Sequence, residues 1–432
     1  MAVRCARAGL VGRVEVPGDK SISHRAILLG SLADGTTRIR NFLQANDCLA
    51  THGAVRDLGV EVECSGDEVL VHGRGLRGLR EPLKPINCGG SGTSMRLLAG
   101  VLAGPAMNSV LEGNAQLSRR PMDRVAIPLR QIGAVISGRE GGKYPPLSIA
   151  GGKLRAIRYE MPVASAQVKS ALLLAGLFAD GATQVVERPG KPTRDHTERM
   201  LSAMGASIHV EVGVVEVHPA LRLEPIDIRV PGDLSSAAFL LAAAAIVPGS
   251  RVTIPSVGVN PGRTGILGAL LRMGGGLRLH NVRLEKNEPV ADLELGYAPL
   301  VGTAITGEEV PSLIDELPLL AVVATQAQGV TEVLGAGELR VKETDRITTT
   351  VSELKRMGAK IEPLPDGFIV EGPVRLKGAH VNSYGDHRLA MALAVAALAA
   401  EGETIIDDTA CIDDSFPGFE EALALLLGEV GA

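Results

Sequence analysis

The chain has 432 residues, 45% of them hydrophobic and 22% charged, with a net charge of −5; this is the balance of a globular protein too long for one ordinary core, so two domains of roughly 200 residues are expected. The acidic balance excludes a general pull towards nucleic acid or anionic membrane, and having no Trp, four Tyr and six Phe excludes a base-stacking platform. Five scattered cysteines (Cys5, Cys48, Cys64, Cys88 and Cys411) show no disulfide or zinc spacing, and neither a signal-peptide core nor an apolar run of ~20 residues occurs, so a cytosolic protein is expected.

In chain order, the first element of interest is "VPGDKSISHRAILLG" (16–30), a Pro-Gly turn leading through Asp19, Lys20, Ser21, Ser23, His24 and Arg25 into an apolar helix. It reads either as a capped helix or as an anion site. "NCGGSGTSMR" (87–96) is a Gly-Ser-Gly turn before a second helix, whose free N–H groups suit phosphate or carboxylate. "LSRRPMDRV" (117–125) packs Arg119, Arg120 and Arg124 around a proline, by default as surface charge. "PVASAQVKS" (162–170) offers Ser165, Gln167 and Lys169, which alone suggest capping, and "KPTRDHTERM" (191–200) leads a loop with Arg194 and Asp195 into a helix. "SLIDELPLL" (312–320) sets Asp315 and Glu316 among apolar residues, to cap a helix or to do acid/base work. "LRVKETDRI" (339–347) alternates Lys342, Glu343, Asp345 and Arg346, and "NSYGDHRLAMA" (382–392) places Asp386, His387 and Arg388 at the mouth of an apolar helix. P-loop, G-x-G-x-x-G, H-E-x-x-H and nucleophile-elbow motifs are absent, which removes the corresponding enzyme classes.

Two periodicities organise these pieces. A Gly followed by alternating apolar residues recurs at Gly59, Gly133, Gly205, Gly274 and Gly358, each time reading as a helix that ends at the Gly and gives way to a strand. Out of phase with it, six polar, small-residue openings feed Ala/Leu-rich helices beginning near Lys20, Ser91, Ser165, Leu234, Asp315 and Asp386. The unit is about 72 residues, and six copies account for the chain. Most of these helices are apolar almost all round, so they should be buried and ringed by strands, three units per domain with a boundary near "RVPGDLSS" (229–236). A helix N-terminus attracts anions, and openings carrying Lys20, Arg25, Arg96, Lys169 and Arg388 could together hold what one end, worth ~1 kcal/mol, cannot.

Taken in order, "PGDKSISHRAILL", "GSGTSMRLL", "RPM", "SAQVKSALLLAGL", "RDHTERM", "GDLSSAAFLLAAA", "RVKETDRI", "GDHRLAMA" and "SFPGF" resemble the 5-enolpyruvylshikimate-3-phosphate synthase family, collinearly from about residue 12 to 420. The resemblance implies an inverse α/β prism of two similar domains, each of three βαβαββ units with buried helices. It implies a discontinuous domain of residues 1–18 plus 232–432, carrying Asp315, Glu343 and Arg388, and a second domain of residues 19–231. It implies transfer of the enolpyruvyl group of phosphoenolpyruvate to the 5-hydroxyl of shikimate 3-phosphate, through a tetrahedral intermediate, with no cofactor and no metal. Lys20, Arg120, Arg346 and Arg388 correspond to grips on phosphoenolpyruvate, with Gly92 beside it. Ser21, Arg25, Ser165, Gln167, Arg194 and Lys342 correspond to contacts with shikimate 3-phosphate. Asp315 corresponds to the carboxylate near the 5-hydroxyl and Glu343 to the one near the methylene carbon, so Lys20, Asp315 and Glu343 are the expected catalytic groups.

A cytoplasmic monomer that closes its domains on its ligands is further implied, as is inhibition by glyphosate, because Gly92 has no methyl to crowd the phosphoenolpyruvate pocket. Two departures stand out: Gly90 replaces an Asn found in many relatives, and Asp414 replaces a Lys found in one branch. His24 is expected to be structural. The alternative is the related transferase acting on UDP-N-acetylglucosamine, disfavoured because "EGNAQLSRRPMD" (112–123) lacks that family's loop Cys. A non-enzymatic clamp around DNA would need rows of Lys and Arg on its helices, whereas these helices are apolar.

Overall fold

In a computed structural model, which describes residues 1–428, the five repeated glycines share one conformation. Gly59, Gly133, Gly205, Gly274 and Gly358 have φ between 81° and 118°, the left-handed region that a Cβ disfavours. Each follows or caps a helix: Asn46–Asp57, Asp123–Ile132, His196–Ala203, Gly265–Arg272 and Arg346–Arg356. Strands then begin at Glu61, Val135, Ile208, Arg278 and Lys360. A sixth helix of this outer set, Phe419–Leu427, reaches Gly428 with φ 72°.

The other periodicity gives six inner helices: Lys20–Ser31, Gly92–Leu102, Ala166–Gly176, Leu234–Ile246, Leu317–Ala324 and His387–Leu398. Every residue of the last three is buried, as the lack of a polar face requires. Asp19, Ser91, Ser165, Asp233 and Asp386 cap five of them by accepting backbone N–H groups of the first turn. The helix Leu317–Ala324 has no side-chain cap and is entered through a 3₁₀ turn, Ile314–Glu316, with Pro318 in its first turn. Asp315 therefore does not serve as that helix's cap.

The strands form small sheets of one pattern. In Arg158–Glu160, Thr183–Val186, Val214–Val217, Ile208–Glu211, the first pair is parallel and the rest antiparallel. This is the strand order of a βαβαββ unit, and the sheets around Asn108–Glu112 and Gly329–Val333 repeat it. Register puts one face inward: Thr37 opposes Val71 and Ile39 opposes Val69, all four buried.

Two repeats are assembled from distant segments. Asp227–Arg229 pairs parallel with Thr36–Arg40, so it is the opening strand for the helix Lys20–Ser31. Val11–Arg13 pairs parallel with Arg251–Gly258 and opens the repeat of the helix Leu234–Ile246. The sixth sheet takes Ala2–Arg4 as the antiparallel neighbour of Glu403–Asp407.

The chain folds as two compact units. One comprises Met1–Pro17, Pro231–Arg283 and Pro289 to the end of the described residues; the other comprises Gly18–Val230 with Leu284–Glu288. Each has its own apolar core around three inner helices. In the first unit the two crossing segments are tied together by Asp233 N donating to Pro17 O at 2.8 Å. Among the described residues, no helix is long and apolar enough to cross a membrane.

Candidate active site

In the unit built on Gly18–Val230, the openings of the inner helices carry a set of polar side chains fixed by one another. Lys20 Nζ lies 2.5 Å from Asp47 Oδ2. Arg25 is buried and fully directed: Nε donates to Thr197 Oγ1 at 2.7 Å, Nη1 to Ser21 O at 2.8 Å and Nη2 to Ser170 Oγ at 2.8 Å. Burial, with Arg194 opposing the pull of Glu198 and Asp19, brings its pKa down to about 10, so it stays a cation at neutral pH. Arg194 lies close enough to Arg25 for its like charge to lower the Arg25 pKa.

Beside this set lies a second. Arg96 Nη1 donates to Gln167 Oε1 at 2.6 Å and Nη2 to Pro121 O at 3.0 Å, while Gln167 Nε2 donates to Thr93 Oγ1 at 2.9 Å. A Cβ built on Gly92 would come within 2.8 Å of Arg96 Nη1 and 3.1 Å of Arg120 Nη1, so the bare backbone there lets two guanidiniums approach it. At Gly90 a Cβ would meet Asn114 Nδ2 at 3.2 Å, so a side-chain amide from another loop stands against this position. Ser165 Oγ accepts from Val168 N at 3.4 Å, the capping role its sequence suggested.

Lys169 departs from its expected place among cations at the openings. It is 1% exposed and held by Glu198 at 2.6 Å and Glu187 at 3.0 Å. Burial alone would lower its pKa, but the two carboxylates outweigh that and raise it. Its charge is consumed in joining the helix Ala166–Gly176 to Glu187 and to Glu198 in the helix His196–Ala203, so it is structural. His24 is as expected: Nδ1 meets Thr51 Oγ1 at 2.7 Å, and Thr51 meets Ser94 at 2.6 Å, joining three helices.

In the other unit the predicted residues gather around one guanidinium. Arg346 is buried and forks onto Asp386, with Nε to Oδ2 at 2.8 Å and Nη2 to Oδ1 at 3.1 Å. Its Nη2 also meets Glu343 Oε2 at 2.7 Å, and its Nη1 meets Asp315 Oδ1 at 3.4 Å. Burial would lower the Arg346 pKa, but Asp386, Glu343 and Asp315 together raise it. Lys342 Nζ donates to Asp315 Oδ1 at 3.1 Å. The side chains of Asp315 and Glu343 keep 15% and 18% of their surface exposed against 2% for Arg346. Two carboxylates that share one buried cation and still reach solvent can exchange protons with a substrate laid over them. Arg388 sits in the first turn of its helix with Nη1 3.1 Å from Glu316 Oε1.

Sequence reasoning missed the partners that aim these groups. Asp47 on Lys20, Thr197 and Ser170 on Arg25, and Arg96 on Gln167 became visible only once helices distant in sequence were packed together. Thr197 and Ser170 do lie inside the quoted motifs, which was the available signal. Asp414 lies near Cys411, whose thiol is pushed up to about 11, first by burial, with Asp386 and Asp414 adding to it. Among the described residues, no group of three or more His, Cys, Asp or Glu side chains could hold a metal ion.

Comparison with known proteins agrees along the whole length. The family model described as EPSP synthase (3-phosphoshikimate 1-carboxyvinyltransferase) matches residues 6–423. A 3-phosphoshikimate 1-carboxyvinyltransferase of Pelotomaculum thermopropionicum is 54% identical over 421 residues, covering 97% of each chain. One from Brevibacillus brevis is 52% identical over 412 residues, covering 95% of this chain and 96% of the relative. A solved EPSP synthase structure from Acinetobacter baumannii superposes with a TM-score of 0.87 at 44% identity, over 98% of this chain and 97% of that one. With the sixfold α/β architecture, these matches show that the chain belongs to the EPSP synthase (3-phosphoshikimate 1-carboxyvinyltransferase) family.

Proposed function

We propose a division of labour among the named residues for the reaction of this family, the transfer of the enolpyruvyl group of phosphoenolpyruvate to the 5-hydroxyl of shikimate 3-phosphate with release of phosphate. Ser21, Arg25, Ser165, Gln167, Arg194 and Lys342 hold shikimate 3-phosphate. Arg25 meets its phosphate as a guanidinium already directed by Thr197 and Ser170, so little side-chain freedom is lost on binding. Lys20, Arg120, Arg346 and Arg388 hold the phosphate and carboxylate of phosphoenolpyruvate, against the uncrowded backbone at Gly92. That same open backbone supports binding of glyphosate, a small phosphonate.

In the addition step the 5-hydroxyl oxygen bonds to C2 of phosphoenolpyruvate, loses its proton to Asp315, and C3 gains a proton from Glu343. In the elimination step Glu343 takes a proton back from C3, the double bond re-forms, and the C2–O bond to phosphate breaks, the departing phosphate taking the proton that Asp315 had accepted. Lys342 and Arg346 on Asp315, and Arg346 on Glu343, hold the two carboxylates a guanidinium's width apart, as two proton transfers at neighbouring atoms require. That shared contact with Arg346 is the observation that carries the reading. Lys20 adds positive charge where phosphate departs.

Glu343→Gln tests it. Turnover should fall by about 10²- to 10⁴-fold while the dissociation constant for shikimate 3-phosphate, measured calorimetrically, moves by less than about threefold. Turnover within about threefold of the parent would remove Glu343 from the chemistry.

A further inference from the structure

Arg388 differs from Arg346 in how it is held. Arg346 is surrounded by three carboxylates, whereas the side chain of Arg388 meets one, that of Glu316. Asp386 is the near alternative, but its oxygens already receive Arg346, Thr344 and the backbone N–H groups of Arg388 and Leu389. Glu316 itself is buried, 2% exposed, in the 3₁₀ turn that replaces a capped helix start.

What fixes Glu316 is a buried chain of groups. Its Oε1, the atom that meets Arg388, also accepts the hydroxyl of Ser235. Ser235 Oγ in turn accepts from Arg263 Nη2 at 2.6 Å, and the same Nη2 lies 3.2 Å from Asp233 Oδ1. A serine hydroxyl has one proton to donate. With Arg263 donating to it, Ser235 directs that proton to Glu316, so Oε1 is an acceptor from both sides. Asp233, Arg263, Glu316 and Arg388 alternate in sign and are all buried, which makes each dependent on its neighbours for compensation. Asp233 also caps its helix and donates its N–H to Pro17 O, so the far end of the chain is anchored in backbone.

We propose that Glu316, backed by Ser235 and Arg263, is a positioning residue: it sets the direction of the Arg388 guanidinium and through it the affinity for phosphoenolpyruvate. The inference rests on the reading of Arg388 as a grip on phosphoenolpyruvate. Glu316 touches no substrate in this scheme, and its removal acts on one substrate only.

Steady-state and binding measurements on Arg388→Lys, Glu316→Gln, Ser235→Ala and the double variant Glu316→Gln/Arg388→Lys separate the possibilities. Arg388→Lys should raise the KM for phosphoenolpyruvate by about tenfold or more; an unchanged KM would sink the reading of Arg388 and this inference with it. Given that rise, Glu316→Gln should also raise it by about tenfold, and Ser235→Ala by about threefold, with the dissociation constant for shikimate 3-phosphate within about twofold of the parent. The double variant should be no worse than Arg388→Lys alone, because Glu316 acts through Arg388. A KM for phosphoenolpyruvate within about twofold of the parent in both Glu316→Gln and Ser235→Ala would overturn the proposal while leaving Arg388 its role. Effects of Glu316→Gln and Arg388→Lys that multiply in the double variant would overturn it equally.

Discussion

His24 shows how a residue in the middle of a binding motif can be purely structural. It is buried between helices, where Nδ1 meets Thr51 of the outer helix Asn46–Asp57, and Nε2 has no hydrogen-bond partner among the described residues. Burial, then Lys20 and Arg25, hold its pKa well below 6.5, so it is neutral in the folded chain at neutral pH. In the unfolded chain it takes up a proton as the pH falls below about 6.5, which favours unfolding by up to about 1.4 kcal/mol per pH unit. Stability should therefore be full above that value and decline beneath it. In urea unfolding at about pH 7.5 and about pH 5.5, the parent should lose more stability than His24→Gln, which cannot titrate; equal losses would contradict the assignment. The motif's letters could not separate His24 from Lys20 and Arg25, because the difference lies in which way each side chain leaves the helix. Lys169 was misread for the same reason. A Lys four residues into a helix opening resembles an anion grip in sequence, and only the fold shows Glu187 and Glu198, distant in sequence, closing on it.

The helices were more legible than the side chains, because their signals are local. Each repeated Gly marked a helix end through a φ that other residues resist, and each apolar helix announced its burial. The contacts between inner helices were not legible, since they depend on how near two axes come. Gly100 is such a contact: a Cβ there would lie 2.3 Å from Ala171 O and 2.7 Å from Ala171 Cα on the neighbouring inner helix. Alanine would improve helix propensity by ~1 kcal/mol, but overpacking against backbone costs typically 1–3 kcal/mol, and the second effect wins because neither helix can yield without disturbing the third. Gly100→Ala should lower the melting temperature by about 3 °C or more in differential scanning calorimetry; an unchanged or raised value would show that the helices can part. At the helix Leu317–Ala324 the exception to capping was informative. The sequence left Asp315 between a cap and an acid/base group, and the structure shows no side-chain cap there, with Asp315 held instead by Lys342 and Arg346.

Across the whole molecule, the sixfold repeat was visible in spacing, but the way its ends join was not. The strand Val11–Arg13 opens a repeat whose helix begins at Leu234, and Asp227–Arg229 opens one whose helix begins at Lys20. No local pattern links residues that far apart; the pairing follows from each sheet's need for an opening strand parallel to its second. The outcome is that each unit presents its own set of polar side chains at or beside the openings of its inner helices. In one, Arg25, Gln167 and Lys20 are held by neighbours within that unit; in the other, Arg346 gathers Asp315, Glu343 and Asp386. In the proposed reaction these sets serve enolpyruvyl transfer to shikimate 3-phosphate. Its most direct test is phosphate release by the purified full-length protein, followed continuously with shikimate 3-phosphate, phosphoenolpyruvate, both together, and UDP-N-acetylglucosamine in place of the shikimate. Release that requires shikimate 3-phosphate and phosphoenolpyruvate together, and is absent with the nucleotide sugar, is the predicted result. No release from that pair, or release with UDP-N-acetylglucosamine instead, would contradict it.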